Sequence, residues 1–555
     1  MHHAFKACAV VILLLPGLPG FFLQQEKPRR GVEEVVKEIR EEVLKRNDDP
    51  AGRPLPVASH WARGFNRSNF SSDYQVSLLE QGHHVMPNLP MPEPGTSVYK
   101  SDGLKIIQKL AQWGAPFSLR ADQWEELLYS KDYPVNQPGK WRNLPAHESP
   151  LMLSADGKVA PKLSPFGAVD PWYEAGEYYT GSGSFDQLQR WYPDPPLVIL
   201  LSNNEARRLK PKDGASIDKR YVDQYGTTHS PAFEREVMAE GYLERYRALL
   251  KGMKDGLQSE AWKEHSLMVG YNAVGPSHFG RWGGWPRYSF ATEEQIDPWY
   301  HVWGGASASY YTNDWNASTD YQVFSPQVEA MNWVFMLEEV YREKPDFWFE
   351  LSIWDGNWGN TKSKEKKTDK AGFYQRAGQQ WSAERYAGFV QYGMWLTTPR
   401  VVREFKGHSV PRAEFAGEFE ALVAAVDRVW ENPILTAFWR KGALVPNRTR
   451  QHPYQVKIPS KWKNVDRWFM LNTSLDKPGK WSLKTEIPVF TQARVIGEKG
   501  HREWLLYAHA PVQSYQDVQV EIPEYDTVTV DVTPGGNFYL IREQDRSVTA
   551  VTGSF

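Results

Sequence analysis

The segment Leu197-Val198-Ile199-Leu200-Leu201 is apolar at five successive positions and runs directly into Ser202-Asn203-Asn204-Glu205. A strand that is apolar on both faces must be covered on both faces, the condition of a parallel strand wrapped by helices. Short segments of this kind, at residues 56–61, 83–88, 116–119, 197–204, 266–272, 300–306, 347–351 and 388–395, alternate with longer helical stretches. Eight βα units in succession predict an α/β fold, a (β/α)8 TIM barrel over residues 53–430.

Beyond residue 430 the helical rhythm gives way to alternation, as in Thr527-Val528-Thr529-Val530-Asp531-Val532 and Asn537-Phe538-Tyr539-Leu540-Ile541. A period of two with one apolar face predicts a C-terminal antiparallel β-sandwich over 431–555. The stretch from Trp124 to Asp194 carries no assignable motif, and the Lys-rich run 362–370 reads as a solvated loop.

Ahead of the barrel, within a segment spanning 24–52, Val32, Val35, Val36, Ile39 and Val43 recur at helical spacing. They predict one amphipathic helix over 31–46, stopped by Pro50, which also drives Asp49 out of the helical region. The first 23 residues hold Lys6 and an apolar run over 7–22, the pattern of a signal peptide and hence of a secreted or periplasmic protein. Pro16-Gly17 and Pro19-Gly20 interrupt that run, and no later segment is apolar enough for long enough to span a membrane. Cys8, the one cysteine, falls inside the signal, so the exported chain has no disulfide, thiolate ligand or cysteine nucleophile.

Lys and Arg total 65 against 67 Asp and Glu, which leaves no basic field of the kind that gathers nucleic acid. The 24 tryptophans point elsewhere. An indole face accepts the C–H face of a sugar ring while the hydroxyls remain free for polar side chains; a large core would use tryptophan equally well.

Active sites of such barrels lie at the carboxyl ends of the strands. Two carboxylates stand out on that criterion: Glu205, after strand four, and Glu350, within Phe347-Trp348-Phe349-Glu350-Leu351-Ser352-Ile353-Trp354 at strand seven. An ionised carboxylate among Phe and Trp costs several kcal/mol unless it is paired or neutralised. Catalysis accounts for that cost, and so does a structural ion pair.

The Asn204-Glu205 pair after strand four and a Glu ending strand seven resemble glycoside hydrolase clan A, the retaining (β/α)8 glycosidases, over residues 53–430. The resemblance implies Glu205 as acid/base, Asn204 on the sugar 2-hydroxyl and Glu350 as nucleophile, with the two carboxyl groups about 5–5.5 Å apart. It implies a Tyr or His near strand six orienting the nucleophile; Tyr310 and Tyr311 are the two candidates, Tyr311 the favoured one, although tyrosines there would serve equally well as packing under the loop. The runs Gln81-Gly82-His83-His84-Val85-Met86-Pro87 and Leu201-Ser202-Asn203-Asn204-Glu205-Ala206 are similar to bacterial enzymes of the agarase and carrageenase type, which cut red-algal galactans.

Loops expected to line subsites hold Trp61, His83, His278, Arg281, Trp282, Trp285 and Trp354. The Arg and His side chains would suit sulfate or carboxylate groups through charge-assisted hydrogen bonds, although each Arg taken singly more often caps a helix or pairs with an acid. His83 and His84 do not make a zinc site, because adjacent strand residues face opposite ways, and no metal or cofactor is expected. The partner expected is a polysaccharide or oligosaccharide substrate, and nothing in the sequence sets the oligomeric state. The expected activity is retaining hydrolysis of β-glycosidic bonds. The alternatives are an exo-acting β-galactosidase of the same clan, a non-catalytic carbohydrate-binding barrel, and a polysaccharide lyase, which would need a Tyr, His or Lys base.

Overall fold

A computed structural model describes residues 30–46, 55–57, 72–121, 123–203, 206–274, 290, 296, 298–311, 325–354, 382–404, 412–450, 465, 467–476 and 487–551. The predicted signal peptide and the 362–370 run lie outside them.

The chain opens with α1 (Val32–Arg46) and β1 (Leu55–Val57), then α2 (Ser72–Glu80), β2 (Asn88–Pro90), α3 (Ser101–Trp113) and β3 (Phe117–Ala121). The motif-free stretch that follows folds into the short α4 (Glu126–Tyr129), a hairpin of β4 (Leu151–Leu153) and β5 (Val159–Leu163), α5 (Asp170–Thr180) and α6 (Gly183–Trp191). Next come β6 (Val198–Ser202), α7 (Lys219–Tyr225), α8 (Pro231–Gly256), α9 (Glu260–His265), β7 (Ser266–Tyr271), β8 (Gly305–Tyr311), α10 (Ser325–Glu343) and β9 (Trp348–Trp354). Then follow α11 (Ala383–Thr397), β10 (Val401–Glu404), α12 (Arg412–Glu431) and α13 (Pro433–Lys441). α5 lies backbone to backbone on α8, since a methyl at Gly176 would stand 2.1 Å from the Leu249 carbonyl and one at Gly252 2.1 Å from that of Tyr173.

Eight strands form one sheet in the order β1-β10-β9-β8-β7-β6-β3-β2, every neighbouring pair parallel. The sheet is strongly curled. Arg403 of β10 donates to the Ser118 hydroxyl of β3 at 3.5 Å. Five strand spacings separate β10 from β3, about 24 Å in a flat sheet, which is beyond the combined reach of an Arg and a Ser side chain.

Alternation divides the sheet into two faces. Met86, Ile199, Leu201, Val269 and Val401 form an inner apolar cluster joined by Leu197, Leu267 and Trp348. Their neighbours of opposite parity, Val198, Leu200, Met268, Phe349, Leu351 and Val402, belong to the outer core beneath the helices. The inner face is therefore apolar toward the amino ends of the strands. Further along, the same parity carries Ser307, Ser309, Tyr311, Glu350, Ser352 and Arg403, so it turns polar toward the carboxyl ends.

Three strand expectations need correction. Residues 388–395 are not the eighth strand but the middle of α11, and the strand is Val401–Glu404. Tyr386 to Thr397 are buried without a break, so this helix is apolar all round and shows no period of 3.6 to distinguish it from a covered strand. The sixth strand starts at Gly305, where 300–306 was expected, and the second at Asn88, at the far end of 83–88.

The C-terminal region holds two antiparallel sheets: β11 (Ala443–Leu444), β13 (Phe490–Ile496), β14 (Glu503–His509), β17 (Asn537–Arg542) and β18 (Val548–Ala550) in one, β12 (Asn472–Thr473), β15 (Tyr515–Glu521) and β16 (Thr527–Val532) in the other. The larger sheet is bonded to α11 through the helix's own carbonyls. Tyr507 donates to the Gly388 oxygen at 2.7 Å, Gln492 to that of Tyr392 at 2.9 Å and Arg494 Nε to that of Trp395 at 3.0 Å. Positions 388, 392 and 395 share one helix face. α1, with Val32, Val35, Val36 and Ile39 buried, ties in as well: Glu33 accepts from Arg502 at 3.0 Å, and Arg467 bridges Glu38 at 3.3 Å to Glu338 of α10 at 2.6 Å.

His509 is wholly buried at the α11 junction, its Nδ1–H donating to the Pro534 carbonyl at 3.0 Å, and burial lowers its pKa to about 3. The unfolded chain takes up this proton near pH 6.5 and the folded one refuses it until about pH 3. The His509 contribution to stability is therefore complete above pH 6.5 and declines as pH falls, by at most about 1.4 kcal/mol per pH unit. His509→Asn, which keeps a donor for Pro534, is expected to flatten the loss of stability between pH 7.5 and 5 measured by urea unfolding; an unchanged slope would refute the assignment.

Candidate functional site

The polar half of the sheet's inner face carries a continuous chain of hydroxyls across three strands. Tyr271, at the end of β7, shares hydrogen bonds with the Ser309 hydroxyl at 2.5 Å and the Tyr311 hydroxyl at 2.5 Å, both on β8. Tyr311 reaches the Ser352 hydroxyl of β9 at 3.5 Å. Register explains the meeting: Tyr271 lies opposite Ser307, Ser309 opposite Ser352 and Tyr311 opposite Trp354. Burial pushes the Tyr311 phenol well above its ordinary pKa, so it stays protonated and able to donate.

Asn272, the first residue past β7, has φ of +51°, a left-handed conformation that a non-glycine residue adopts at a cost. Its amide repays that cost locally. Nδ2 donates to Ser309 Oγ at 3.0 Å, and Oδ1 accepts from the Ser309 backbone N–H at 3.1 Å. The turn that follows strand five is thus locked to strand six.

Below this chain sits the one predicted carboxylate among the described residues. Glu350 is fully buried, and Arg403 grips both its oxygens, Nε to Oε2 at 2.9 Å and Nη2 to Oε1 at 3.0 Å, while Trp348 Nε1 approaches Oε1 at 3.3 Å. Arg403 is fully buried too. The two-pronged geometry and the third donor are what a desolvated carboxylate requires. Glu350 does not end its strand: it is third of seven residues in β9, four short of Trp354, or about 13 Å along the chain. Its hydrogen bonds go to Arg403 and Trp348; the Tyr311 hydroxyl lies higher, with Tyr271 and Ser352.

Glu205, Asn204, Trp61, His278, Arg281, Trp282 and Trp285 lie outside the described residues; Trp354 is the last residue of β9. Asn203, on the inner face just past β6, is buried. His83 is not brought to the carboxyl side. It precedes β2 by five residues, at the amino end, where Nδ1 meets Asp427 of α12 at 2.9 Å. Among the described residues no cluster of His, Cys, Asp and Glu is arranged to hold a metal ion.

Sequence reading missed Arg403, Tyr271, Ser309 and Ser352. The signal for Arg403 was the run Val401-Val402-Arg403-Glu404, a covered strand with one inward charge, hidden when the eighth strand was assigned to α11. Glu404, of opposite parity, accepts from the Tyr386 hydroxyl of that helix. No protein-family model matches the chain, and no curated protein matches it either.

Proposed function

We propose that the protein is a secreted retaining glycoside hydrolase that cleaves β-glycosidic bonds of a polysaccharide, with a sulfated or anhydro-galactan as the leading substrate class. In this reading the curled sheet closes between β1 and β2 into a (β/α)8 barrel over 53–430, and the two C-terminal sheets face each other as a sandwich. The observation that supports it best is the graded interior of the parallel sheet, apolar toward the amino ends and hydroxyl-lined toward the carboxyl ends, where substrates of such folds bind. Hydroxyls that both donate and accept suit a polyhydroxylated ligand.

Glu205 acts as acid/base: it protonates the departing oxygen and then deprotonates the incoming water. Glu350, on strand seven of the same sheet, is the nucleophile of this reading and would leave Arg403 to attack the anomeric carbon. The grip of Arg403 on both oxygens, and the four residues of β9 beyond Glu350, favour a second assignment. There Glu350 is a fixed charge under the pocket, and the nucleophile is Asp355, next in sequence after Trp354.

A panel of marine and plant polysaccharides with product analysis tests the activity and separates an endo-hydrolase from an exo-β-galactosidase, a lyase or a binding protein. On a substrate found this way, Glu205→Ala is expected to lower kcat roughly 10²–10⁴-fold. Glu350→Ala and Asp355→Ala are then assayed with azide. The true nucleophile's variant is expected to recover turnover and release an α-glycosyl azide. No hydrolysis of any polysaccharide by the intact protein would end the reading.

A further inference from the structure

We propose that Trp113 and Trp191 form a second polysaccharide-binding platform, on the outer surface at the amino edge of the parallel sheet. It lies at the opposite end of the strands from the hydroxyl-lined candidate site. The inference rests on the reading of the protein's ligand as a polysaccharide.

Trp124, Trp141, Trp172 and Trp262 are fully buried, whereas Trp113 is 44% exposed and Trp191 42%. Apolar residues exposed singly need no explanation. These two share one place. Trp113 is the last residue of α3 and Trp191 the last of α6, and the two helices lead into the neighbouring parallel strands β3 and β6. Both indoles therefore stand where their helices end, at the amino edge of the sheet.

Hydrogen bonds hold the two helices side by side. At their starts the Thr96 carbonyl accepts from the Ser184 N–H at 3.1 Å, and Gln187 Oε1 accepts from the Tyr99 N–H at 2.9 Å. At their ends the Tyr192 hydroxyl donates to the Ala115 carbonyl at 3.1 Å, and the Tyr192 ring stacks on Phe117 with centres 5.8 Å apart. Trp262 holds the same corner from behind, its Nε1–H donating to the Tyr192 carbonyl at 2.7 Å. Gly114, left-handed at φ +58°, ends α3 immediately after Trp113. The indoles are thus mounted on backbone that is already ordered, which reduces the entropy lost when a ligand is held.

The surroundings select the ligand. Lys105, Gln108, Lys109, Gln112 and Arg190, on the same two helices, are all exposed. Indoles set in so polar a field are a poor centre for a protein interface, where charged residues are depleted. A sugar chain fits better, because its C–H ring faces suit the indoles and its hydroxyls suit the amides between them. Lys105, Lys109 and Trp113 follow one another at intervals of four and so share a face of α3, with Glu80 holding Lys109 at 2.7 Å. Arg190 adjoins Trp191. These cations favour a chain that carries sulfate or carboxylate groups over a neutral one.

Affinity electrophoresis of the intact protein through gels containing carrageenan, agarose or xylan tests the platform. Trp113→Ala, Trp191→Ala and the double variant run beside the unsubstituted protein, and urea midpoints check that they fold. Carrageenan is expected to retard the unsubstituted protein most. Each single variant is expected to bind it about threefold to tenfold more weakly, and the double variant about 10–100-fold more weakly. Equal retardation of the double variant and the unsubstituted protein overturns the platform, as does an unsubstituted protein that no gel retards. So does a dimer, seen in sedimentation, that the double variant loses, because the indoles would then join two copies of the chain. Retardation by agarose or xylan alone, lost in the double variant, upholds the platform and overturns the preference for an anionic chain. Should the double variant not fold, oxidation by N-bromosuccinimide decides: carrageenan is expected to protect both indoles, and undiminished oxidation of both overturns the proposal. Retardation that depends on the two tryptophans in a protein that hydrolyses no polysaccharide upholds the platform and ends the hydrolase reading. Hydrolysis with no effect of the double variant on binding does the reverse.

Discussion

Arg403→Met is expected to lose about 3–5 kcal/mol of folding stability, because it leaves the Glu350 carboxylate buried without its cation. The double variant Arg403→Met with Glu350→Gln is expected to recover most of that loss, since neutralising both members removes the uncompensated charge. Urea midpoints of the three proteins check this. A single variant as stable as the parent would mean that the carboxylate is neutral in the folded protein. The experiment also bears on mechanism: a carboxylate whose separation from its buried cation costs about 3–5 kcal/mol would be an expensive one to release as a nucleophile in each catalytic cycle.

Removal of residues 443–551 is expected to leave a chain that does not fold. The face of α11 given to the larger C-terminal sheet holds Tyr392 against Phe490, with ring centres 5.6 Å apart, and Trp395 against Phe538 at 5.3 Å. Without the sheet those rings meet water. Gly388→Ala tests the same seam gently, because a methyl there would stand 2.1 Å from the Pro534 carbonyl oxygen and 2.5 Å from His509 Nδ1. Overpacking of this kind costs about 1–3 kcal/mol. Calorimetry of the full chain is expected to give one cooperative transition, lowered by Gly388→Ala; a soluble, cooperatively melting fragment 1–442 would refute the shared core.

Much of the architecture was legible. The two-faced apolar run at 197–201 specified a covered parallel strand, and the alternation at 527–532 a half-exposed one, because burial leaves its period in the sequence. The amphipathic spacing of Val32 to Ile39 set α1 within a residue at each end. Legibility failed where both faces are buried. α11 and a covered strand present the same apolar run, so Gly388 to Trp395 was read as β10, and Arg403 was lost with it. The insertion between β3 and β6 carried no motif; its α5 buries Trp172, Ala175 and Tyr179, and Gly176 lets it lie directly on the backbone of α8, a contact that the sequence does not announce.

The candidate site divides in the same way. From the sequence came two glutamates on strands four and seven and the tyrosine at 311. The partners of Glu350 were decided by tertiary structure alone, because Arg403 is 53 residues away in the chain and reaches it only through the register of β10 on β9. So was the hydroxyl chain from Ser352 to Tyr271, which exists because three adjacent strands turn residues of one parity inward at neighbouring levels. A sequence records which face of an element is buried, because burial selects residue type one position at a time. It does not record which buried residues meet, because register and curl are properties of the assembled sheet.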